Sequence, residues 1–220
     1  MDWTQKIDGY CERTGPAFWA EPVNALTNLA FLVVAVLMWR LAGRDATGRA
    51  LSAVLFAIGL GSFLFHTEAT AWASLADTIP IAVFILFYLF AVNRDVLGLR
   101  PGWSALATAG FFPYAALVVA VLARVPFLRI SAAYWTVPLL LVIYTVALRR
   151  RWPVLARGFL VGAGLLSASL VARSLDMVLC PVWPLGTHFL WHLLNAVMLG
   201  WMIAVLLDHR ATHPLATGGG

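Results

Sequence analysis

A chain of 220 residues that is 62% hydrophobic and only 11% charged, with a mean hydropathy of +0.86, does not have the balance of a soluble domain; soluble domains are about half apolar and a quarter charged. The net charge of +5 comes from 15 basic against 10 acidic residues, and in a polytopic membrane protein such an excess belongs to cytoplasmic loops rather than to a nucleic-acid partner. Cys11 and Cys180 are the two cysteines, too few for a thiolate metal cluster.

In chain order, residues 1–22 form a polar segment with Asp2, Asp8, Glu12 and Glu21. It lacks the apolar centre of a signal peptide. Residues 23–207 read as one all-α membrane domain of seven spans, near 23–41, 50–66, 74–92, 102–123, 131–148, 157–178 and 185–207, each close to the length a bilayer requires. Residues 208–220 are predicted to be a short disordered tail. Basic residues are unevenly shared between alternate connections. Arg40, Arg44, Arg49, Arg94, Arg100, Arg149, Arg150, Arg151, Arg157 and Arg210 fall on one side, and Lys6, Arg13, Arg124 and Arg129 on the other. The positive-inside bias therefore predicts an N-terminus outside and a C-terminus in the cytoplasm. Arg173 and Asp176, three apart in the sixth span, are expected to pair. Trp183 and Trp191 are expected in the interfacial aromatic belt.

The seventh span opens on Thr187-His188-Phe189-Leu190-Trp191-His192. Two histidines four apart share one helix face, a spacing that lets both hold one metal ion, with zinc the leading candidate. In the predicted topology His66 ends the second span and Asp77 begins the third, at the same outer depth as His188 and His192. Three neutral imidazoles leave a zinc position open for water, whose pKa the metal brings near neutral. Asp77 then suits proton transfer, and Ser62, one turn before His66, suits stabilisation of an oxyanion; both could instead orient the ligands. Plainer readings exist. A lone intramembrane histidine can be a hydrogen-bonded packing residue, Asp77 can serve a helix dipole, and Ser62 after Gly61 can be a small packing residue.

The series Gly59-x-Gly61-Ser62-x3-His66, then Asp77, then His188-x3-His192, resembles the alkaline ceramidase family. That family belongs to a wider superfamily of seven-span hydrolases that includes the adiponectin-receptor-like proteins. Asp8-Gly9-Tyr10-Cys11-Glu12 and Ala20-Glu21-Pro22-Val23-Asn24-Ala25-Leu26-Thr27-Asn28 are similar to its opening. The resemblance implies zinc held by His66, His188 and His192, with Asp77 moving protons and Ser62 assisting the oxyanion. It implies a membrane lipid substrate, a ceramide cleaved at its amide to a sphingoid base and a fatty acid. It also implies calcium held by Asp8, the Tyr10 carbonyl, Glu12, Thr14 and Glu21, and a disulfide between Cys11 and Cys180. The sequence departs from the pattern by an insertion between Asp8 and Tyr10, a shortened stretch between Glu12 and Glu21, and Thr14 where an amide or acid is usual.

Two rivals follow from the same residues: a related hydrolase acting on another N-acyl lipid or an ester, and a non-enzymatic seven-helix receptor with a structural metal. Retinal binding is disfavoured because the single lysine, Lys6, lies outside the spans.

Overall fold

The computed structural model describes residues 2–213, and these are helical apart from short connections. Helices α1 (Pro22–Thr27) and α2 (Leu29–Ala42) form one apolar stretch, followed by α3 (Ala46–Glu68) and α4 (Ala71–Asp95). Next come α5 (Pro101–Ala109) and α6 (Phe111–Leu122), one predicted span interrupted at Gly110. A short turn, α7 (Pro126–Arg129), precedes α8 (Ala132–Leu148), α9 (Pro153–Leu179) and α10 (His188–Thr212). Among the described residues six stretches are long and apolar enough to cross a membrane; α8 is apolar but has 17 residues and is shorter than these six. Among the described residues the one extended pairing is an isolated bridge between Lys6 and Thr70.

The helix boundaries have local causes. Pro22, Pro101 and Pro153 open their helices, where a missing N–H costs nothing. The Asp45 side chain accepts from Gly48 N at 2.7 Å and caps α3. Ala69 takes a left-handed conformation with φ of 46°, which ends α3 and lets Ala69 and Thr70 alone turn the chain into α4. The link predicted over residues 67–73 is thus tighter than expected.

Successive helices pack as neighbours, and α10 meets α2, which closes the bundle into a ring. Its interior is filled by Leu51, Leu55 and Ile58 of α3, Phe159 and Leu170 of α9, and Ile203 and Leu206 of α10. Large apolar side chains also point outward, among them Val33, Leu37, Leu106, Phe112, Leu117 and Leu160. Such a shell is costly in water and ordinary in lipid. At the end where α10 finishes, Arg210 ties Asp45 at 2.8 Å and Asp95 to one another.

Three expectations change. The final helix continues beyond 207 to Thr212, so residues 208–212 are helical; residues 214–220 of the expected tail lie outside the described residues. Trp191 is buried, packed on Tyr134, because its position faces the bundle rather than the membrane surface. Arg173 and Asp176 do not pair. The Arg173 guanidinium donates to Ile130 O at 3.1 Å and Ser131 Oγ at 2.9 Å and lies over the Tyr134 and Trp191 rings. Asp176 turns instead to backbone N–H groups, as described below.

Candidate metal centre

His66 stands in the last turn of α3, and His188 and His192 in the first turns of α10. Their ring centroids form a near-equilateral triangle, 5.1 Å from His66 to His188 and 4.7 Å for each of the other two sides. All three are essentially inaccessible to solvent, and their ligand atoms lie within 4.8 Å of one another, a group able to hold a metal ion. The i, i+4 spacing accounts for two members. The third arrives because α3 and α4 reverse direction just beyond it.

Hydrogen bonds orient the rings. His66 Nδ1 meets Glu21 Oε2 at 2.6 Å. His192 Nδ1 meets Thr27 Oγ1 at 2.9 Å, while the same hydroxyl donates to the Val23 carbonyl at 2.8 Å. With its hydrogen so engaged, Thr27 accepts from His192 Nδ1–H. His192 Nε2 is then an unprotonated nitrogen, and it is buried without a hydrogen-bond partner in the protein, as is His188 Nδ1. A buried nitrogen without a partner is costly in a folded protein. Three converging imidazoles, two of them (His188 and His192) with a partnerless nitrogen and two (His66 and His192) held by a hydrogen bond at Nδ1, are the donor set of a transition-metal site.

Asp77 and Ser62 join this group. The Asp77 carboxyl is within interacting reach of the Ser62 hydroxyl and of His66. Gly61 makes the approach possible: a Cβ there would lie 2.0 Å from the Ala76 carbonyl oxygen and 3.1 Å from Asp77 N. Backbone thus meets backbone where α3 crosses α4, and Ser62 and Asp77 sit on the two sides of that crossing. Ser62 is buried and Asp77 half-buried.

The N-terminal segment closes over the histidines. Tyr10 stacks on His188 with centroids 3.7 Å apart. Burial pushes its phenol up to about 12, although the neighbouring Arg173 guanidinium acts in the other direction. The Cys11–Cys180 disulfide fastens this segment to the end of α9. Asp176 completes the join: Oδ2 accepts from Cys11 N at 2.9 Å, and Oδ1 from Thr187 N at 2.7 Å and His188 N at 2.9 Å. One carboxylate therefore caps the start of α10 and holds the segment above it. Gly186 is required beside it, since its φ is +68° and a Cβ would lie 2.2 Å from Asp176 Oδ1.

The residues expected to hold calcium are engaged by other protein groups or exposed. Asp8 and Thr14 are exposed. Both Glu12 oxygens accept helix-start amides, Val23 N at 2.7 Å and Asn24 N at 2.8 Å. The Tyr10 carbonyl accepts from Arg13 N at 3.2 Å. Glu21 is held by His66, Asn24 and Arg13. Burial raises its pKa, but the His66 and Arg13 hydrogen bonds and charges outweigh this and leave the carboxyl below its ordinary range. Asp8, Glu12 and Glu21 do not form a group of the kind the three histidines make.

The bundle holds an apolar cavity lined by Ile81, Phe84, Tyr88, Tyr134, Trp191, Asn195 and Met198 among others. Two of its lining residues, Trp191 and Asn195, stand one and three residues from His192 in the chain. The Tyr10 ring, Arg13 and Thr27 were not among the candidate side-chain roles suggested by sequence, and Asp176 was assigned a different partner, Arg173; each acts on a residue brought to it by the fold. The ceramidase family model matches residues 6–214, while no curated protein matches the chain significantly. With nearly its whole length covered by that match, the chain belongs to the ceramidase family.

Proposed function

We propose that this protein is a zinc-dependent intramembrane hydrolase that cleaves the N-acyl bond of ceramide-like sphingolipids, giving a sphingoid base and a fatty acid. The observation that carries the reading is the triangle of buried histidines, two of them with a partnerless nitrogen, beside Ser62 and Asp77. His66, His188 and His192 would hold the metal. When bound, zinc supplies Lewis acidity toward a carbonyl and a water made acidic near neutral pH. The residues of the chain do the rest. Asp77 accepts a proton as water attacks and returns one to the departing amine. The Ser62 hydroxyl donates to the developing oxyanion. The apolar cavity beside Trp191 and Asn195 takes an alkyl chain and excludes water from it.

In this reading the chain crosses the membrane seven times, with α8 as the short span, the N-terminus outside and the C-terminus in the cytoplasm. The arginine distribution supports that orientation, and the Cys11–Cys180 disulfide agrees with it, since oxidising compartments preserve such bonds. The site then opens on the non-cytoplasmic side.

The test joins metal content to turnover in detergent-purified protein. Wild type is expected to carry near-stoichiometric zinc and to release fatty acid from an N-acyl sphingoid lipid, and His192→Ala to lose both. Wild type that holds zinc but cleaves only another N-acyl lipid or an ester would change the substrate. Folded wild type that takes up no zinc on resupply would overturn the mechanism in favour of a receptor.

A further inference from the structure

Arg13 contacts two members of the set for which the family resemblance implies calcium, the Glu21 carboxylate and, through its backbone N–H, the Tyr10 carbonyl. It is 7% exposed. Its Nε pairs with Glu21 Oε1, Nη1 donates to Gly15 O at 3.0 Å, and Nη2 donates to His66 O at 2.8 Å. A carboxylate and two backbone carbonyls, the oxygen types calcium favours, thus face a guanidinium. The remaining oxygens of the expected set are engaged or exposed: Glu12 caps α1, the Tyr10 carbonyl accepts from Arg13 N, and Asp8 and Thr14 are exposed. A calcium ion added here would stand against a buried cation and displace its hydrogen bonds.

We propose that the Arg13 guanidinium takes the place of a calcium ion in this chain, acting as a positioning residue that neutralises Glu21 and, through Glu21 and the His66 carbonyl, fixes the third metal-binding imidazole. Glu21 needs a compensating positive charge because it is 2% exposed, and an isolated buried carboxylate is strongly disfavoured. The guanidinium supplies that charge in a directional form, with planar donors that reach the carboxylate and the backbone of α3 together. One side chain therefore ties the N-terminal segment, the start of α1 and the end of α3. Its effect on a metal rests on the three histidines holding one; its effect on calcium does not.

The test compares wild type, Arg13→Lys and Arg13→Ser as zinc-loaded protein in detergent. Calcium uptake is measured by titration with calcium chloride, the thermal midpoint with and without calcium, and zinc affinity by competition with a chelating dye. Wild type is expected to take up no stoichiometric calcium and to melt at the same temperature in its presence. Arg13→Lys, which keeps the charge, should retain zinc within a few-fold. Arg13→Ser should hold zinc about 10- to 100-fold more weakly, the range seen when a partner of a ligating histidine is lost, and added guanidinium or calcium should restore part of that loss. Stoichiometric calcium binding that raises the wild-type midpoint would overturn the proposal. So would Arg13→Ser with wild-type zinc affinity, or Arg13→Lys as impaired as Arg13→Ser. If Arg13→Ser does not fold, the wild-type calcium titration and Arg13→Lys still decide. If wild type holds no zinc, the calcium titration and the melting comparison decide. No readout requires a substrate, so failure of lipid turnover is a separate result.

Discussion

Glu21 accepts a hydrogen bond from His66 Nδ1 at 2.6 Å, and that contact determines which edge of the ring is left for a metal. Thr27 does the same for His192 at 2.9 Å. Both partners come from the N-terminal segment and α1, whereas the histidines belong to α3 and α10. The metal-binding geometry is therefore set partly by a stretch that contributes no histidine.

Glu21→Gln and Thr27→Val are accordingly expected to weaken zinc binding by about 10- to 100-fold without removing a ligand. Glu21→Gln should have the larger effect, because it also leaves Arg13 without its counter-charge. Dye competition on detergent-purified protein measures both. Unchanged affinity in Thr27→Val would mean that α10 packing alone orients His192.

Gly61→Ala is expected to be among the most damaging single-methyl changes in the chain. Its Cβ would lie 2.0 Å from the Ala76 carbonyl oxygen, and backbone cannot yield as a flexible side chain can. Overpacking typically costs about 1–3 kcal/mol, and this contact stands at the upper end. Because the same crossing holds Ser62 beside Asp77, activity should fall further than the loss of folded protein explains. Thermal midpoint and turnover per folded molecule, measured on the same sample, separate the two effects.

The parts of this arrangement legible in sequence were those written in local spacing. His188 and His192 show themselves by an i, i+4 interval at the start of an apolar run, and His66 and Asp77 by lying at matching ends of their own runs. Hydropathy located the helices, because every apolar stretch must satisfy its backbone internally in lipid. The rest depends on tertiary contacts. Asp176 sits three residues from Arg173, and helical spacing suggested a pair; the amides of Cys11, Thr187 and His188 compete for the carboxylate and win. Arg13 looked like a loop charge because Gly15, Glu21 and His66 approach it only in the folded chain. The interruption at Gly110 does not end the apolar run, which continues from α5 into the still more apolar α6.

The Cys11–Cys180 disulfide and Asp176 hold the same segment from two sides, so their losses should be coupled. Replacing both cysteines by serine is expected to lower stability by about 2–5 kcal/mol in the usual range for a native disulfide, and to weaken zinc binding by loosening Tyr10 over His188. Asp176→Asn keeps the shape but weakens the charged cap on α10. The combined variant should lose less zinc affinity than the two separate losses added together, because either change alone already frees the segment. Strict additivity in a double-mutant cycle would show that the two act independently.

Asp77→Asn separates a catalytic carboxylate from one that only supports the site. Asp77 is not one of the three groups that converge as ligands, and it lies near Ser62 at the α3–α4 crossing. If it transfers protons, the amide should retain zinc close to the wild-type level while lowering turnover by about 10²- to 10⁴-fold, and the acid limb of the rate profile should disappear from whatever activity remains. If it serves the helix start or orients a ligand, zinc affinity should drop and turnover should recover when zinc is supplied in excess. Metal content and kcat measured on the same Asp77→Asn preparation, at limiting and at saturating zinc, distinguish these outcomes, and recovery at saturating zinc would remove Asp77 from the proposed chemistry.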